Sequence, residues 1–101
     1  MTAQLIFIGT RRPDSDDDYT AYRTVAGPLL GAAGGRPIGQ YQHIDDLAGE
    51  DGPQVVGIFE FPDEAAVRSL IESPEYQAVV AHRDSAFERL NIILATAAPT
   101  G

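Results

Sequence analysis

Apolar residues follow two rhythms along this chain, short unbroken runs and stripes spaced by three and four, and their alternation lays out the elements. Gln4 to Gly9 is a run rich in Ile and Phe, bounded by Gly9 and the polar Thr10-Arg11-Arg12-Pro13. It predicts a central strand that is apolar on both faces. Asp14 to Asp18 supplies helix N-cap candidates and first-turn carboxylates, which meet the positive end of a helix dipole. Tyr19, Tyr22, Ala26, Leu29, Leu30 and Ala33 then share one helical face. Pro28 lacks a backbone donor, so a kink is expected near Gly27-Pro28, with a stop at Gly34-Gly35.

Arg36 to Ile44 reads as a second, more polar strand, with Ile38, Gln40, Gln42 and Ile44 on one face and Tyr41 and His43 on the other. Asp45 to Pro53 has the Gly, Pro and Asp content of an exposed hairpin loop. Gln54 to Phe61 is again apolar on both faces. Pro62-Asp63-Glu64 opens a helix whose stripe is Val67, Leu70 and Ile71, ending near Glu72. Ser73 caps a new turn with Pro74 at its first position, and Tyr76, Val79, Val80, Arg83 and Phe87 continue at helical spacing. Arg89 to Thr96 is the last strand, and 97–101 is expected to be a frayed tail.

The order β-α-β-β-α-β, with the second helix broken in two, predicts a single α+β domain of ferredoxin-like plan, an antiparallel sheet with helices on one face. Strands one and three are apolar on both faces, so the open side of the sheet needs a cover. Sheet-against-sheet homodimerisation is the expected solution.

Composition narrows the partners. Asp and Glu number 15 against 7 for Lys and Arg, a formal charge of −8 over 101 residues. Such a surface repels phosphate backbones and anionic lipid, so neither nucleic acid nor membrane is an expected partner. There is no cysteine for a disulfide or thiolate site. The N-terminal stretch lacks the basic segment and long apolar run of a signal peptide, so a cytoplasmic protein is expected. No metal or cofactor is expected either, since two histidines lack carboxylates at ligand spacing and Gly34-Gly35 follows a helix, the reverse of a dinucleotide turn.

Candidate chemistry centres on the second half. Arg83 lies on an apolar helix stripe, where a guanidinium needs an anion, either a ligand oxyanion or a carboxylate of its own protein. Tyr76 precedes it by two turns on the same side and has a hydroxyl for a ligand oxygen or a backbone carbonyl. His43 is the only strand histidine and a general base if its face lines the space between sheet and helices; on the other face it is a surface residue. Tyr22, Tyr41 and Phe59 are the candidate substrate contacts. His82 falls off the stripe and is expected to be exposed.

Tyr22 to Gly39, with Gly34-Gly35-Arg36, and Val56 to Arg83, with Phe59-Glu60-Phe61-Pro62, Ser73-Pro74-Glu75-Tyr76-Gln77 and Arg83, resemble the small bacterial proteins of the domain-of-unknown-function family numbered 1330. That family belongs to the dimeric α/β-barrel superfamily. The resemblance implies the fold and a homodimer whose two sheets form a barrel. It does not imply one activity, since similar proteins include cofactor-free monooxygenases, polyketide cyclases, lactone isomerases and haem-dependent enzymes. The acidic segments Asp14 to Asp18 and Asp45 to Asp51 depart from the family pattern. The leading expectation is a cofactor-free isomerase or cyclase working by proton transfer on a small, largely apolar, oxygenated substrate, with His43, Tyr76 and Arg83 catalytic. A cofactor-independent monooxygenase and a non-catalytic ligand-binding dimer are the alternatives.

Overall fold

The computed structural model describes residues 2–98. It contains β1 (Ala3–Arg11), α1 (Asp16–Ala32), β2 (Arg36–Gln42), β3 (Val55–Phe61), α2 (Glu64–Glu72), α3 (Pro74–Gln77), α4 (Val80–Ala86) and β4 (Phe87–Ala95). The strands form one antiparallel sheet in the order β2-β3-β1-β4. This is the ferredoxin-like arrangement expected from the pattern, with β1 and β3 at its centre. Ala97 and Ala98 belong to no regular element, and the rest of the expected tail, 99–101, lies outside the described residues.

Register assigns the faces. Ala3 pairs with Phe61 and Leu5 with Phe59, and with Val67 and Leu70 of α2 these residues build the main core. Ile6 pairs with Ile58 and Ile93, and Ile8 with Val56, on the sheet face turned away from the helices. The helices cover one face only, and the molecule is flat, 41 × 35 × 16 Å along its principal axes.

Several boundaries differ from the sequence pattern. β1 extends to Arg11, two residues past the expected stop at Gly9, because Thr10 and Arg11 continue the ladder to β4 through a register shift. α1 runs through Pro28 without interruption of its assignment. The segment from Pro74 is not one helix: at Val79 the backbone turns to φ −111°, its N–H donates to the Tyr76 carbonyl (3.1 Å), and α4 begins one residue later. Phe87, expected on the helix stripe, instead opens β4 opposite Arg11 and meets the Tyr19 ring edge-on. No described helix is long and apolar enough to cross a membrane.

Candidate functional site

The polar groups that converge inside the fold are Tyr22, Tyr76 and Arg83. Tyr22 comes from the inner face of α1, ahead of which the buried Ser15 donates its hydroxyl to the Arg12 carbonyl (2.7 Å). Tyr76 comes from α3, a four-residue turn held by its caps. The Ser73 hydroxyl donates to the Leu70 carbonyl (2.7 Å) and accepts from the Tyr76 N–H (3.2 Å), and the Gln77 amide donates to the Ile71 carbonyl (2.7 Å). These bonds satisfy the groups that a helix end leaves over, and they set where the Tyr76 ring stands.

Both rings are buried, at 7% and 3% exposure, and meet edge-on with centroids 6.0 Å apart. Their hydroxyls are 2.8 Å apart. Arg83, on α4, lays its guanidinium toward the Tyr76 ring (5.8 Å to the centroid) and donates from Nη1 to the Tyr76 oxygen at 3.3 Å. Its Nε donates to Asp84 Oδ1 at 3.2 Å. Burial works against the Arg83 charge, but the bonds and charges of Tyr76 and Asp84 outweigh it and hold its pKa above the ordinary value. Burial first, and then the Tyr76 hydroxyl, push the Tyr22 phenol far above the usual tyrosine value, against a weaker opposing pull from Arg83. Tyr22 is therefore a neutral donor and acceptor, not a base.

Proton counting gives this cluster its chemistry. A guanidinium can only donate, so the Tyr76 oxygen accepts from Arg83. The two hydroxyls share one contact, which consumes one of their two protons. Among the described residues no further acceptor is bonded to either hydroxyl. One buried O–H therefore remains unspent beside a cation, an arrangement that suits the oxygen of an anion or of a polarised carbonyl. Phe7, Ala26, Leu30, Leu70 and Ile71 complete an apolar lining, and the gap among them and the two tyrosines is too small for a water molecule.

The remaining predicted residues are not brought to this cluster. Phe59 stands one layer behind, edge-on to Phe7 (5.9 Å), and supports the lining without joining it. Tyr41 pairs with Val56, on the face away from the helices, and is 57% exposed. His43 lies past the end of β2, with its ring Nε2 2.8 Å from Asp46 Oδ1. The condition for His43 to act as the base of the sheet–helix space, that its face line that space, is not met. His82 contacts Asp18 of α1 at 2.8 Å through Nδ1. The Tyr22–Tyr76 pairing was invisible in the sequence, because the two residues are 54 positions apart and each alone reads as ordinary core.

An open groove of about 720 Å³ lies between the start of α2 and the end of β4, lined by Ala3, Asp63, Arg68, Leu94 and Thr96. Its charged groups are engaged: Asp63 caps α2 by accepting from the Ala66 N–H (2.8 Å), and Arg68 pairs with Glu64 (2.8 Å). Among the described residues no group of His, Asp and Glu is arranged to hold a metal ion.

Comparison with known proteins gives the family and the fold. No curated protein matches the sequence. Among solved structures, the RPA0582 protein of unknown function from Rhodopseudomonas palustris is similar at 27% identity over 97% of this chain and 84% of that one, with a TM-score of 0.82. A dabb family protein with a ferredoxin-like fold from Mesorhizobium loti matches at 19% identity over 99% and 98%, TM-score 0.67. A dimeric protein of unknown function and ferredoxin-like fold from Bacteroides fragilis matches at 13% identity over 92% and 93%, TM-score 0.62. The last two, at such identities, share the fold alone. The sequence profile described as Domain of unknown function (DUF1330) matches residues 6–97, nearly the whole chain, and the protein belongs to that family.

Proposed function

We propose that the chain forms a homodimer and that each protomer binds the oxygen of a small, largely apolar, oxygenated molecule through Tyr22, Tyr76 and Arg83. The observation that carries the site is the unspent hydroxyl proton beside a guanidinium in an apolar lining. Such a pair of donors stabilises negative charge developing on a carbonyl oxygen, as in enolisation, isomerisation or aldol-type cyclisation. These residues supply the oxyanion half of a proton transfer. Because the rings now touch, a ligand enters only when the Tyr76 turn moves away from α1, and the break at Ala78–Val79 is where the chain yields.

The homodimer rests on the open sheet face. Ile6, Ile8, Val56, Ile58 and Ile93 leave one side of a flat sheet apolar and uncovered by helices. The similar Bacteroides fragilis protein is dimeric.

One observation favours a second reading: the space beside the tyrosines is filled. On that reading the cluster is an internal latch of a non-catalytic dimer. Tyr76→Phe and Arg83→Ala separate the two, measured by melting temperature and by NMR titration with small phenols and β-dicarbonyl compounds. The site reading expects wild-type binding of at least one compound that both variants weaken by about tenfold or more. A wild type that binds none of them, with both variants merely less stable, leaves the latch.

A further inference from the structure

The connection between β2 and β3 is more ordered than a solvated hairpin loop requires. The His43 N–H donates to the Gln54 carbonyl at 2.9 Å, closing the loop at its base. Asp46 holds its middle, with Oδ1 2.8 Å from the His43 ring and Oδ2 accepting from the Gly52 N–H at 3.3 Å. Arg89 of β4 donates to the Asp51 carbonyl at 3.4 Å. Gly49 and Asp51 take left-handed backbone at φ 80° and 55°.

This restrained loop holds two large apolar side chains outward. Ile44 is 96% exposed and Leu47 95%, more than any other large apolar residue among those described. Single apolar residues scattered on a surface need no explanation, but two within four positions of a loop tied by hydrogen bonds at its base and middle call for one. They also continue a surface. Arg89 pairs with Thr10, on the same sheet face as Ile8, so the tie from Arg89 draws the loop to the end of the open apolar face. Tyr41, 57% exposed, lies on that face between the loop and the strands.

Area identifies the occupant. Four strands about 4.8 Å apart and roughly seven residues long at about 3.3 Å each project to roughly 440 Å². A stable interface buries about 800 Å² per partner, so the sheet face by itself reaches only about half of that. A two-fold dimer presents every contact twice, so one apolar loop pair adds two patches to the interface. Charge does not select the occupant, since a second copy is itself acidic and its Arg36 is paired with Glu60; area and the continuity of the loop with the open face do.

We propose that the 43–54 loop is a preformed arm that seats Ile44 and Leu47 on a second copy of this chain and extends the sheet-face interface of the homodimer. The inference rests on the homodimer reading above. Sedimentation velocity over a dilution series of the full chain tests it, comparing wild type with Ile58→Asp on the sheet face and with the double variant Ile44→Ser, Leu47→Ser. The expected result is a dimeric wild type, a monomeric Ile58→Asp, and a double variant whose dimer dissociation constant rises about 30-fold or more. Because both loop side chains touch almost nothing in their own protomer, the circular dichroism and melting curve of the dilute monomer should match wild type. A double variant that dimerises as tightly as wild type overturns the arm and leaves the homodimer standing. A wild type that is monomeric at every concentration overturns both.

Discussion

The Tyr22 hydroxyl illustrates how burial fixes a role. Its pKa is raised in the folded state, so the unfolded chain loses the proton first, at the ordinary value near 10, and stability falls as pH climbs beyond about 10. Tyr22→Phe removes one buried hydrogen bond and should cost about 1 kcal/mol at neutral pH, while flattening the alkaline loss of stability. Denaturant titrations at two pH values check both parts. Asp46 behaves in the opposite sense. The hydrogen bond from His43, followed by that from Gly52, lowers its pKa, so its contribution is complete above the usual carboxylate value of about 4 and disappears as pH falls through the lowered one. Hydrogen exchange at the Gly52 amide should therefore lose protection only as pH falls through the lowered Asp46 value, beneath the ordinary carboxylate range, and Asp46→Asn should weaken that protection at neutral pH.

At the scale of the elements, the short turn α3 depends on its caps more than on its length. A single turn of helix does not persist on propensity, because nucleation costs more than one turn returns. Ser73→Ala removes both the bond to the Tyr76 N–H and the bond to the Leu70 carbonyl and should lower stability by about 1 kcal/mol. If Tyr76 is positioned by this cap, the same variant also weakens binding at the Tyr22–Tyr76–Arg83 cluster, with Ser73→Thr restoring both. The junction between α1 and β2 is fixed differently. A Cβ on Gly35 would stand 2.6 Å from the Phe61 ring and 2.7 Å from the Leu30 carbonyl. Gly35→Ala therefore forces the helix end away from the core, and its melting temperature should fall clearly below that of Gly31→Ala, where a Cβ meets open space.

For the whole molecule, one helix layer on one sheet face leaves a protein only 16 Å thick in one dimension, with half of its sheet unpacked. Phe61, 1% exposed at the meeting of β3, β1 and α2, anchors what core there is, and Phe61→Ala should cost about 3–5 kcal/mol in chemical denaturation. The proposed dimer would bring together two protomers of formal charge −8 each. Their repulsion reaches about 30 Å at 0.01 M salt and about 8 Å at 0.15 M, so an apolar dimer interface should tighten as salt is raised. Sedimentation at the two ionic strengths checks the sign, and a dimer that weakens with salt would mean that ion pairs dominate the contact.

The chain by itself determined the order and kind of its elements, the helix start at Pro62-Asp63-Glu64, the capped turn at Ser73, and the two central strands with apolar side chains on both faces. Those properties arise from steric periods of two and of three to four residues, which a short window of sequence records completely. It also put Arg83 and Tyr76 on one side of a local segment, two turns apart, but their direct contact appears only in the fold. Tertiary structure alone decided the rest. Which face of β2 carries Tyr41 depends on pairing with β3, a register that periodicity cannot express, and that pairing turned it away from the helices, while the strand ends before His43, whose ring meets Asp46 in the loop. The transfer of Phe87 to β4 follows from the ladder to Arg11, which outweighs a helical stripe that looks continuous in isolation, and the same stripe hides the break at Val79. The buried meeting of Tyr22 with Tyr76 joins two helices far apart in the chain, and the proton left over there comes from a count of hydrogen bonds among the described residues that only the fold creates.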